Sequence, residues 1–159
     1  MAIKATVYKA ALQIADMDRG LYADHALTLA LQPSETTERL MMRLMAFALQ
    51  VPADDHGGAL LSARGLAEAD EPDLWQHDLT GQLMHGLEVG QPDERRMAKA
   101  CGRARRVSIY AYGTSAPVWW AGLQGKRECM VGIQAAVHVG DLQRGRVDSG
   151  FDGHQAAPL

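Results

Sequence analysis

Two acids stand where carboxylates can do metal chemistry. Asp73 lies in Glu71-Pro72-Asp73-Leu74-Trp75, at the entry to a short strand, and Glu88 sits near the end of a strand, Gln82 to Val89, that gives way at once to Gly90-Gln91-Pro92. Carboxylates carried on neighbouring strands converge on one point. They can hold a hard cation such as Mg2+ through oxygen, leaving waters and a substrate phosphate to complete the coordination. A cation so held polarises a scissile phosphate and acidifies an attacking water. A third acid, Glu38, lies upstream on a helix. The plainer alternative is that Asp73 and Glu88 are loop and edge acids that cap backbone or face solvent.

A basic segment follows the acids. Six basic residues and no acid fall between Arg95 and Arg106: Arg95, Arg96, Lys99, Arg103, Arg105 and Arg106. Arg95, Lys99 and Arg103 recur every four positions, a stripe opposite Met97, Ala100, Cys101 and Ala104 on one helix. Beside a metal site such a stripe could hold a phosphate backbone. A solvated face pairing with acids elsewhere explains it equally well.

The elements that must position these residues follow from periodicity. Ile3 to Ile14 and Leu21 to Leu31 alternate about the turn Asp16-Met17-Asp18-Arg19-Gly20, which spells an N-terminal β-hairpin. Pro33-Ser34 opens a helix to about Gln50, with Ser34 as N-cap, Glu35 and Glu38 in the first turn, and Leu40, Met41, Leu44, Met45 and Ala48 as its core stripe. Pro52 to Gly58 is a loop. After the two acid-bearing strands, Pro92 sits in the first turn of the basic helix. Val107 to Tyr112 is a strand, and Ser115-Ala116-Pro117 starts a short helix with Trp119 and Trp120. The succession of helix, strands bearing acids, and a second helix is that of a nuclease core, on an α/β (α+β mixed-sheet) fold in a single domain.

Four blocks in order carry a resemblance: Ile3-Lys4-Ala5-Thr6-Val7-Tyr8-Lys9-Ala10, Pro33-Ser34-Glu35-Thr36-Thr37-Glu38-Arg39, Glu71-Pro72-Asp73-Leu74-Trp75 and Glu88-Val89-Gly90-Gln91-Pro92-Asp93, with Trp119-Trp120 fitting too. Over residues 1 to about 126 the chain resembles the YaeQ family, whose core is a variant of the PD-(D/E)xK restriction-endonuclease-like fold. The resemblance implies Asp73 as the first metal carboxylate, Glu88 as the second and Glu38 as an auxiliary acid, with Mg2+ or Mn2+ as the cofactor. It departs from the wider nuclease pattern two residues after Glu88, where Gly90 replaces the lysine that orients water and stabilises developing charge. Gln91 can donate a hydrogen bond there but brings no charge. Arg95 or Lys99 on the next helix could return the cation. The match fades after Lys126. Val131 to Val139 is at most one strand, and Gly140 to Leu159 reads as a weakly ordered tail left by a frame change or divergence.

Composition narrows the classes further. At 159 residues, 47% apolar and 22% charged, the chain has the makeup of a folded domain. No apolar run reaches a membrane span, and Met1 to Val7 lacks a signal peptide's apolar stretch, so a cytoplasmic protein is expected. Cys101 and Cys129 are too few for a disulfide framework and read as reduced core thiols. A net charge of -3 does not fit a dedicated high-affinity nucleic-acid binder. Gly122 to Arg127 lacks P-loop spacing and reads as a turn. Six histidines, His77 and His85 near the acids among them, show no metal-ligand spacing. Three functions stay open: a metal-dependent nuclease-like protein acting on DNA or RNA phosphodiesters, a non-catalytic nucleic-acid-binding or regulatory protein on a degenerate nuclease fold, and a purely structural interaction protein. Oligomeric state is not legible.

Overall fold

The hairpin forms where the alternation lies. Strands β1 (Thr6–Asp16) and β2 (Leu21–Leu31) pair antiparallel in unbroken register from Thr6 with Leu31 to Asp16 with Leu21. The computed structural model describes residues 5–62, 71–123, 134–141 and 146–148. At the hairpin tip Arg19 donates to the Asp16 carboxylate and then to the carbonyls of Val51 and Ala48, each at 3.0 Å. Those carbonyls close helix α1 (Thr37–Gln50), whose last turn has no basic residue of its own. Arg19 supplies the missing cation at the negative end of the helix dipole.

The start and the facing of α1 differ from the sequence expectation. Its N-cap is Thr36, whose side chain accepts from the Arg39 N–H, and not Ser34. The helix buries Leu40, Met42, Ala46 and Phe47, while Met41 is 51% exposed and Leu44, Met45 and Ala48 are only half-buried. The stripe is rotated by about one position because Arg43 is itself buried on the inward side, where it reaches the Ala30 carbonyl and Glu35.

Beyond α1 run β3 (Leu60–Ser62), β4 (Leu74–His77), β5 (Leu83–Val89), α2 (Glu94–Arg103), β6 (Arg106–Tyr112), α3 (Ala116–Leu123), β7 (Gln134–Asp141) and β8 (Arg146–Asp148). The last six strands form one mixed sheet, in the order β3-β4-β5-β6-β7-β8. β5, β6 and β7 are parallel, and antiparallel pairs flank them on both sides. α2 also begins later than expected: Asp93 is the N-cap, accepting from the Arg96 N–H at 2.7 Å, and Pro92 precedes the helix.

The middle of the sheet, at β5 and β6, is buried on both faces. Leu74, Leu87, Val89 and Tyr110 pack with Met42, Ala46 and Phe47 of α1 and with Leu21 of the hairpin. Val107 and Ile109 face the other way, onto Met97, Ala100, Cys101 and Ala104 of α2, with Trp119 and Trp120 alongside. Burying a sheet on two faces explains why β6 reads as a nearly continuous apolar run. The buried face expected for α2 and the burial of Cys101 are borne out.

In the C-terminal segment β7 is the single strand expected near Val131 to Val139 and continues the parallel sheet, and β8, within the stretch expected as a weakly ordered tail, pairs back on it. Gly122 and Leu123 belong to α3 and not to a turn, and the rest of that glycine-containing stretch, like Cys129 and His154, lies outside the described residues. Among the described residues no helix is long and apolar enough to cross a membrane.

Candidate metal and phosphate site

β4 and β5 bring the two acids to the same end of the sheet. Leu74 pairs with Leu87 at the end of the β4–β5 ladder, so Asp73, just before β4, and Glu88, next to Leu87 on β5, come to the same end of the strand pair. Both are buried, at 8% and 3% exposure, which sets aside the picture of solvated edge acids. Asp73 does bond backbone: its Oδ2 accepts the Val89 N–H at 2.8 Å, fixing the carboxylate against β5. Burial raises the Glu88 carboxyl to about 7; the neighbouring Asp73 charge pushes the same way, and the Arg96 and Arg39 charges oppose it.

Two arginines close the site from opposite layers. From α1, Arg39 Nη2 donates to Asp73 Oδ1 at 2.7 Å and to the Val89 carbonyl at 3.2 Å, while its Nη1 reaches Glu35 Oε1 at 2.8 Å. Burial works against the Arg39 charge, and the Asp73 and Glu35 carboxylates more than offset it, so its pKa lies above the ordinary value. From α2, Arg96 Nε donates to Glu88 Oε2 at 2.9 Å and its Nη2 to the Glu71 carbonyl at 2.9 Å. Arg43 Nη2 completes the chain with a 3.0 Å bond to Glu35 Oε2. Three acids and three arginines thus compensate one another in a largely buried row.

The other residues singled out by sequence fall around this row. Glu38 is exposed on α1, and Glu35, one turn earlier, is the helix-side acid that joins the network. Gln91 points along the end of β6, donating to the Tyr112 carbonyl at 3.0 Å and to Ser115 Oγ at 2.8 Å, with no bond to either acid. Arg95, Lys99 and Arg103 lie exposed on α2. Of the basic segment it is Arg96, between the stripe and the core, that reaches the acids. His77 is exposed; His85 is buried and lies 2.9 Å from Ser108 Oγ.

Gly90, where the nuclease pattern has lysine, adopts φ 108°, a conformation open to glycine and strained for other residues. Its N–H donates to the Tyr110 carbonyl at 2.8 Å, which locks the turn from β5 toward α2. Any side chain at this position, a lysine included, would meet a backbone conformation that disfavours it. Sequence reasoning missed the roles of Glu35, Arg39 and Arg43. Their spacing of four was a signal, because it sets an acid and two arginines in one line at the start of a helix.

The YaeQ family model, described as YaeQ protein, matches residues 1–146. The chain belongs to the YaeQ family. The YaeQ protein of Salmonella typhi is 45% identical over 127 residues, covering 79% of this chain and 67% of that protein. The YaeQ protein of Escherichia coli strain K12 is 43% identical over the same length and coverage. Among solved structures, YaeQ from Xanthomonas axonopodis pv. citri is 48% identical with a TM-score of 0.72, over 85% of this chain and 74% of that one. YaeQ from Pseudomonas syringae is 34% identical with a TM-score of 0.76, over 87% and 73%. The YaeQ match runs past Lys126, where the motif resemblance faded.

The donor set suits a hard dication in chemistry. Asp73 and Glu88 offer oxygen only, and a dication between them would relieve the repulsion that helps to raise Glu88. Among the described residues no group of three or more His, Cys, Asp or Glu side chains could hold a metal ion, so the protein would supply two ligands. Arg39 and Arg96 now stand where their positive charge serves the same acids.

Proposed function

We propose that this chain is a nuclease-like protein that engages DNA or RNA phosphodiesters, on a variant PD-(D/E)xK core in which Asp73 and Glu88 hold one Mg2+ or Mn2+. The observation that carries this is the buried juxtaposition of Asp73 and Glu88 at one end of the mixed sheet, with Glu88 held near 7. The order α1-β3-β4-β5-α2-β6 supports the core assignment. When bound, the cation supplies Lewis-acid polarisation of the phosphate and a more acidic water. The chain's own contribution is to fix Asp73 through the Val89 N–H, to hold Arg39 and Arg96 at the acids, and to offer Arg95, Lys99 and Arg103 to a phosphate backbone. Gln91 acts on the β6–α3 connection.

A thermal-shift titration tests the site. At metal concentrations about a hundred times Kd, a ligand binding only the folded state adds roughly 2.7 kcal/mol, several degrees in melting temperature for a domain this size. Wild type should shift with Mg2+ and Mn2+, and Asp73→Asn or Glu88→Gln should not. An equal shift in either variant sinks the assignment. Cleavage of mixed DNA and RNA substrates with each metal then reports turnover.

A second function is favoured by one observation: the positive φ of 108° at Gly90 strains any side chain there, the catalytic lysine included. On that basis the fold would bind nucleic acid without cutting it. Metal-dependent shifts without cleavage of any substrate would select it.

A further inference from the structure

Arginine and a metal ion cannot share these acids without cost. Asp73 already accepts donors at both oxygens, from Arg39 and from the Val89 N–H, and Glu88 Oε2 accepts from Arg96. Two arginines balance the two acids in charge, so a dication added to the intact set would leave the site over-positive. The arginines are the more exposed partners of the two pairs. The Arg39 and Arg96 side chains are 30% and 34% exposed, against 10% and 5% for the carboxylates they bind. They can withdraw toward solvent while the acids stay fixed to the sheet.

We infer that Arg39 and Arg96 hold the acids in place of the cation and move onto substrate phosphate when the cation enters, so that metal and phosphodiester bind cooperatively. The inference rests on the metal site proposed above and adds its control. A guanidinium trades a carboxylate for a phosphate with little loss, because both offer paired oxygens to the same planar fork. Arg96 is the principal exchanging group. It lies on α2 beside the exposed Arg95 and Lys99, the face that would carry a phosphate backbone, on a helix that begins four residues after Gly90. Both arginines hold a second partner, Glu35 on Arg39 Nη1 and the Glu71 carbonyl on Arg96 Nη2, so it is the place of Arg96 on the basic helix that singles it out. Linkage requires the coupling to be mutual: phosphate that draws Arg96 away tightens metal, and metal that displaces Arg96 tightens phosphate.

The experiment is a Mg2+ titration of the whole chain by thermal shift, on wild type, Arg96→Gln, Arg96→Lys and Arg96→Gln/Glu88→Gln, alone and with a short oligodeoxythymidine. Arg96→Gln should bind Mg2+ about tenfold tighter than wild type, within the usual range of such couplings. Arg96→Lys should stay near wild type, and adding Glu88→Gln should remove the gain. The oligonucleotide should tighten Mg2+ in wild type and not in Arg96→Gln. If Arg96→Gln does not fold, Arg39→Gln bares Asp73 Oδ1 and carries the same expectation. Wild type and Arg96→Gln binding Mg2+ equally would overturn the exchange and leave the metal site standing. Absence of binding in both would remove the site itself, and the exchange with it.

Discussion

Glu88 carries the sharpest single-residue consequence, because its protonation couples to folding. Its carboxyl rises from an ordinary value of 4.5 to about 7 in the folded chain, so between those values the folded state holds the proton more tightly than the unfolded one. Stability from this group is therefore complete below about 4.5 and is lost as pH rises through about 7, an effect on the order of 3 kcal/mol at most. Wild type should lose stability across that window relative to Glu88→Gln, measured by urea denaturation at each pH; parallel profiles would show that Glu88 titrates normally. Bound metal should flatten the wild-type slope, since it favours the carboxylate. Gly90 makes the second residue-scale prediction. Placing a lysine there by Gly90→Lys, as the proposed nuclease core would have it, forces a side chain onto φ 108°, at a cost of about 1 kcal/mol or more, and should lower the melting temperature without creating turnover. A variant as stable as wild type would show that the turn relaxes.

At the scale of elements, α2 divides labour around its circumference. Met97, Ala100 and Cys101 face the sheet, Arg96 reaches Glu88, and Arg95, Lys99 and Arg103 face outward. Nucleic-acid binding through the outward face should depend steeply on salt. Replacing Arg95, Lys99 and Arg103 together should flatten the slope of log K against log salt by roughly two to three units for duplex DNA, at about 0.9 per phosphate contact. A slope unchanged in a filter-binding or fluorescence titration places the binding surface elsewhere. This variant keeps Arg96 and so separates backbone contact from the exchange at the acids.

Across the whole molecule the site depends on two layers meeting at one end of a sheet. Arg39 comes from the α1 layer and Arg96 from the α2 layer, so the distance between layers sets whether both reach the acids. The loop after α1 packs against β4, the strand that leads from Asp73. Gly58 packs against β4 so closely that an added Cβ would overlap the His77 carbonyl, and its own carbonyl accepts from Gln76 Nε2 at 2.8 Å. Gly81 shares a positive φ yet has open space around it. Gly58→Ala should therefore destabilise well beyond the ~1 kcal/mol expected from backbone strain alone at Gly81→Ala. Equal losses for the two variants in chemical denaturation would show that the loop moves off the strand at little cost.

Some of this architecture was legible in the chain alone. The hairpin alternation, the amphipathic α2 and the succession of acids about β4 and β5 are local patterns, and strand and helix periods express them directly. Tertiary structure decided the rest. Ser34 gave way to Thr36 as the cap of α1, and the helix turned to bury Arg43, because Glu35 and the Ala30 carbonyl lie on that side. Glu88 found its cation in Arg96, not in Arg95 or Lys99, since only that azimuth of α2 faces the end of β5. Arg39 meets Asp73 across 34 residues of sequence. No local period encodes such a contact; it exists because sheet register and helix packing bring opposite charges together where water is excluded and an unpaired charge would be costly.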